Sequence, residues 1–169
     1  DYLFGRFTGA FFAGCLLFLS APLGMILGAA MPWLDPEVLG PFNLWHYAYV
    51  YLLLCVPTLF VTGAGFFAIA TATRSMMWTY VGVIVFLVLY LVATGFLSRP
   101  EFINTVALVD PFGLGAYDQA TRYWTAAERN TQIPDFSGYI LWNRALWVGV
   151  AFALLGLAYV GVLFVVAHL

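Results

Sequence analysis

Lysine is missing from this chain altogether, and two kinds of chemistry go with it. A P-loop uses a lysine to reach the nucleotide phosphates, and Schiff-base catalysis needs a lysine amine, so neither site is available here. Charge of either sign is scarce: 8% of the residues are charged, against about 25% in an ordinary soluble domain. Six arginines and eight acids leave a net charge of −2, which points to neither nucleic acid nor an anionic substrate as a partner. The two cysteines, Cys15 and Cys55, each lie inside an apolar run. Thiols filling a helix surface are the expected role there, and no spacing supports a redox or metal site. Serine is limited to Ser20, Ser75, Ser98 and Ser137, and there is no HExxH, CxxC or GxSxG. No catalytic constellation stands out, and no cofactor or metal is expected.

What is abundant is apolar surface. Hydrophobic residues make up 64% of the 169, and aromatics 19%. No soluble domain of this size can hide so much apolar area. Many tryptophans and tyrosines sit near the ends of apolar runs, as they do at membrane interfaces. The composition predicts an integral membrane protein of the all-α class, a polytopic bundle with about four transmembrane helices. The spans are expected at about 7–30, 45–72, 77–97 and 140–169, each long enough for a bilayer that needs about 20 residues. The lipid bilayer is the first expected partner. The opening residues lack the basic start and cleavage site of a signal peptide, and the chain reads as a piece of something larger.

Each span carries one or two departures from plain apolar sequence. Gly24 and Gly28 in the first form a GxxxG pattern, which suits close helix approach but also arises by chance. Pro57 lies inside the second and is expected to kink it; Gly63 and Gly65 beyond it suit either a hinge or plain packing. His46, among Trp45, Tyr47 and Tyr49, reads as an interfacial residue without metal partners. Asn143 and Arg144 lie in the first turns of the last span. Arg144 either snorkels to the headgroups or pairs with a carboxylate such as Asp110 or Glu128.

One long stretch, residues 98–139, is polar enough for water and holds five of the acids and three of the arginines. A connection of that length is usually functional or structured. Asp110 and Pro111 form a helix-start signal, Asp as N-cap and Pro at the first helical position. Phe112, Ala116, Ala120, Tyr123 and Trp124 then share one face. Thr125 and Glu128 fit a capping box. The expectation is two short interfacial helices between the third and fourth spans, aromatic face down. Arg6 and Arg74 on one side, opposite Asp35 and Glu37, put both termini in the cytoplasm and the long segment outside.

Three stretches resemble permeases of the ABC-2 type: Asp110-Pro111-Phe112-Gly113 with Thr121 to Thr125 and Glu128 to Thr131, the opening Tyr2 to Phe7, and Ala70 to Met77. The resemblance extends to large bacterial proteins that join such a permease region to a gluzincin-type zinc aminopeptidase. It implies the last four of six spans of one permease unit in the inner (plasma) membrane, with two short external helices where Asp110 to Asn130 lies. It further implies a second permease unit, as a dimer or tandem repeat, and a separate ABC ATPase subunit that drives alternating access. On that footing Asp110, Arg122, Trp124, Glu128 and Arg129 belong to an external lid. Asn143 is a path residue, Arg144 the anchor of the lid, and Gly24 and Gly28 sites of close helix contact. The chain itself would not be an enzyme. Two other readings stay open: a non-transporting anchor for a peptidase domain, and an intramembrane enzyme using carboxylates such as Asp118 and Glu128.

Overall fold

Residues 2–33, 42–97 and 99–167 are described by the structure, a computed structural model. The acidic loop residues Asp35 and Glu37, and also His168, lie outside the described residues. Among the described residues all regular structure is helical. In chain order the helices are α1 (Tyr2–Ala29), α2 (Leu44–Thr73), α3 (Met76–Leu97), α4 (Ile103–Val109), α5 (Leu114–Thr121), α6 (Ala126–Thr131) and α7 (Gly138–Ala167). Helices α1, α2, α3 and α7 are long and apolar enough to cross a membrane. At 1.5 Å per residue even the 22 residues of α3 exceed a hydrocarbon core of about 30 Å.

Local chemistry sets the ends and irregularities of these helices. Asn43 caps α2 by accepting the Trp45 N–H at 3.0 Å. Arg74 ends it in the left-handed conformation, φ 53°, with its N–H returned to the Ala70 carbonyl. Only Arg74 and Ser75 separate α2 from α3, so the two helices pack side by side. Pro57 disturbs α2 as its missing N–H requires, and the disturbance takes the form of a π turn over Tyr51–Cys55. The Val56 N–H reaches back to the Tyr51 carbonyl, which inserts one residue ahead of the proline ring.

The packing centre is aromatic on one side and small on the other. Phe7 of α1, 6% exposed, meets Phe11, Phe60 and Phe67, with ring centroids 5.4–6.2 Å apart. Ala64 of α2 and Ala151 of α7 are fully buried and let those two helices approach closely. Gly63 faces Phe7 of α1 and Gly65 faces Leu154 of α7, where a Cβ would make ordinary contacts at 3.7 and 4.0 Å. They serve packing. A Cβ added at Gly24 or Gly28 meets no atom within 4 Å among the described residues, so neither is a site of close helix contact there. Helix α1 is held through its phenylalanines instead.

Between α3 and α7 lies a small helical body, richer than two helices. A 3-10 turn at Pro100–Phe102 leads into α4, which the sequence reading lacks. Helix α5 begins at Leu114, three residues later than the Asp110–Pro111 signal implies. Its buried residues are Ala116, packed against Ala107 and Ile140, and Thr121. The expected aromatic face packs only in part: Ala116 is buried and Phe112 meets Phe86 and Tyr90, but Ala120 is exposed and Tyr123 is 92% exposed, because the chain leaves the helix after Thr121.

Replacing Phe7 by Ala opens a cavity at the meeting point of α1, α2 and α7. The expected loss is on the order of 2–3 kcal/mol, somewhat below the soluble-core value because detergent rather than water competes for the ring. Phe12, 65% exposed, changes little when replaced by Ala. Thermal unfolding of the two purified variants in one detergent checks the contrast, and equal losses would contradict it.

Candidate functional site

The first turns of α7 place Ile140, Asn143, Arg144 and Trp147 on one helical stripe facing the rest of the chain. Two of these are polar, and both are buried: Asn143 is 0% exposed and Arg144 4%. Buried polar side chains are stable only when their hydrogen bonds are made. The Asn143 amide nitrogen donates toward the carbonyls of Ala107, Leu108 and Asp110, each at 2.9 Å. The first two are among the last carbonyls of α4, which have no partner within that helix, and the third is its C-cap. A side chain from α7 therefore caps the C-terminus of α4.

The Asn143 oxygen faces the opposite way and accepts from Arg144 Nε and Nη2. Arg144 also donates to Thr58 Oγ1 on α2 and to the Pro111 carbonyl, both at 3.2 Å. Thr58 in turn donates to the Phe112 carbonyl at 3.4 Å. One guanidinium thus joins α2, α7 and the loop between α4 and α5. It does not snorkel. Its hydrogen bonds go to neutral oxygens rather than to a carboxylate, while the Asp110 charge acts on it from nearby.

Asp110 is 8% exposed and organises the turn. Its two carboxylate oxygens accept the Phe112 and Gly115 N–H groups at 3.0 and 2.7 Å. It caps α5 from a distance of several residues, a variation on the N-cap expected at this position. Tyr90 of α3 lines the same pocket as Asp110 and Pro111. Gly113 is obligatory here. Its φ is +75°, and a Cβ would stand 2.3 Å from Arg144 Nη2. A Cβ on Gly115 would meet Val106 Cγ1 at 2.8 Å.

Asp110, Asn143 and Arg144 are therefore brought together, and the other lid residues are not part of the cluster. Arg122 lines a separate polar recess with Asn104 and Gln119, which hydrogen-bond each other at 2.9 Å. Trp124 is half-buried. Glu128 completes the capping box expected of it: its carboxylate accepts the Thr125 N–H and hydroxyl at 2.7 and 2.8 Å. Those bonds hold the Glu128 carboxyl below its ordinary value of 4.5. Arg129 donates to the Thr121 carbonyl, linking α6 to α5. A further tie joins Tyr49 of α2, whose hydroxyl donates to the Pro134 carbonyl at 2.6 Å.

Thr58, Tyr90, Gly113 and Gly115 are the members that sequence reading misses. A turn signal was present for the glycines in the run from Asp110 to Gly115. Thr58 and Tyr90 carry no local signal, because their partners are more than 15 residues away. Among the described residues no three of His, Cys, Asp and Glu converge as metal ligands. The cluster's donors are spent on internal acceptors, so its chemistry is that of a clamp. Comparison with protein-family models, with curated proteins and with solved structures gives no match.

The clamp predicts that Asn143→Leu, which keeps volume but removes the side-chain donor from the Ala107 and Leu108 carbonyls, lowers stability by about 2–4 kcal/mol. Gly113→Ala lowers it by at least ~2 kcal/mol, from left-handed strain and the Arg144 clash together. Tyr123→Ala stays within about 0.5 kcal/mol of the parent. Thermal or denaturant unfolding in detergent measures all three. The Glu128 cap adds a pH dependence. Its folded pKa is depressed, so the cap is intact above 4.5 and is lost as pH falls through the lower folded value. Amide exchange across α6 should rise in that acid range in the parent. In Glu128→Gln it should already be raised at neutral pH.

Proposed function

We propose that this chain is the last four of six spans of one ABC-2 type permease unit, an exporter region working with a separate ATPase. In this reading α1, α2, α3 and α7 cross the inner membrane, both termini face the cytoplasm, and α4 to α6 form a lid on the outer side. The observation that carries the reading is a folded helical body between the third and fourth apolar helices, fastened to α2 and α7 by buried polar bonds. The resemblance described above implies an external helical element at that position. A loop that served only to connect two helices would have no use for a buried arginine and a fully buried asparagine.

Mechanistically, the clamp makes lid and helices one lever. Closure of the ATPase on nucleotide tilts the spans at their cytoplasmic ends. Because Arg144 bonds both Thr58 and Pro111, motion of α2 relative to α7 is transmitted to the turn between α4 and α5. Substrate passage then requires α4 to α6 to move with α7 rather than independently of it. A second permease unit completes the path.

Purification of the full-length parent in mild detergent tests the reading. A co-purifying ATPase is expected, with hydrolysis that changes by severalfold when the permease is present and responds to Arg144→Met. Recovery of the parent without an ATPase, across several detergents and with peptidase activity attached, would replace this reading with that of a membrane anchor.

A further inference from the structure

A second polar feature lies apart from the clamp, on the same side of the fold. A cleft of about 780 Å³ opens between the C-terminal end of α1, the start of α2 and helix α6. That volume falls in the range of small-molecule sites, roughly 300–1,000 Å³. One wall is apolar and belongs to the end of a spanning-length helix: Met25, Ile26 and Ala29, with Phe42 opposite. The other wall is polar and is contributed by Asn43, His46, Tyr47, Arg129 and Asn130.

Two details of the polar wall favour a ligand. The His46 Nε2 is buried and has no hydrogen-bond partner among the described residues. A buried nitrogen of that kind is normally satisfied, and because it is closed to solvent as it stands, the imidazole turns toward the cleft for a polar group there to reach it. Arg129 is the one ionised side chain among the described residues that line the cleft. It donates from Nη2 to the Thr121 carbonyl. The neighbouring Glu128 is turned away into its bonds with Thr125 and does not neutralise it. Among the described residues that line it, the cleft thus carries a positive charge at its polar end and is apolar along α1.

We propose that this cleft binds an amphiphile with an anionic head group, a phosphate or carboxylate carried on an alkyl chain. The head lies against Arg129, with the Asn43 and Asn130 amides and the His46 imidazole beside it. The tail runs along Met25, Ile26 and Ala29 of α1. The proposal rests on reading α1 and α2 as membrane spans, but not on transport or on any ATPase.

Native mass spectrometry of the full chain in a non-ionic detergent tests it, with dioleoyl phosphatidylglycerol, dioleoyl phosphatidylcholine and inorganic phosphate as separate probes. Phosphatidylglycerol should bind saturably at one molecule per chain and clearly better than phosphatidylcholine. Arg129→Gln should weaken it on the order of tenfold. Arg122→Gln, the same change of charge in the other recess, should leave it within twofold. Met25→Trp, which fills the apolar wall without altering charge, should also block binding; it covers the case in which Arg129→Gln disturbs α6. Equal binding of the two lipids, equal effects of the two arginine changes, or inorganic phosphate binding as tightly as the lipid would each overturn the proposal. The absence of a co-purifying ATPase would bear on the permease reading alone.

Discussion

A buried guanidinium needs acceptors, and in this chain it finds them on three different elements. Arg144 is 4% exposed on an otherwise apolar helix, and its bonds run to α2, to the turn after α4 and to its neighbour Asn143. Removing a charge from water costs several kcal/mol unless its hydrogen bonds and a counter-charge are in place. That cost explains the surrounding sequence. Asn143 turns its oxygen to the guanidinium and its nitrogen to the end of α4. Asp110 supplies the opposite charge while fixing the turn, and Gly113 clears the space that a Cβ would occupy. Each member satisfies another, so deleting one leaves a buried partner stranded.

The remaining packing is less demanding. The contact of α1 with α2 and α7 depends on phenylalanine edges and alanine surfaces, which tolerate adjustment. Directional bonds concentrate at one end of the fold, where α3 ends and α7 begins. At the opposite end α2 and α3 are joined by the two-residue turn at Arg74 and Ser75. Stiff at one side and simply packed at the other, the molecule suits a role in which spans tilt while α4 to α6 keep their shape. Under the proposed permease function that asymmetry is what couples helices to lid.

How far the sequence discloses this differs by level. The four long apolar helices are legible because hydropathy over 20 or more residues leaves no alternative. The capping box at Thr125 and Glu128 is legible because both partners lie within one turn. The start of α5 is misplaced because Asp110 reaches five residues ahead to Gly115, so a plain N-cap and this longer turn look alike in sequence. Helix α4 is missed because its start has no side-chain cap, and its stability comes from Ala107 against Ala116 and Ile140. The role of Arg144 was narrowed to two alternatives. The structure takes the inward one, with neutral oxygens where a carboxylate bond was considered. Tertiary partners decide such points, and no local pattern encodes them.

The central claim is that α4 and α5 form one body with the start of α7, held by Asn143 and Arg144. Amide hydrogen exchange in the full chain, reconstituted in nanodiscs, tests it most directly. Slow exchange is predicted at Gly115 and through the last turn of α4. The Asn143→Leu variant should lose protection across residues 103–121, with α1 to α3 unchanged. Rapid exchange through that segment in the parent protein, at the rate of an open loop, would contradict the account.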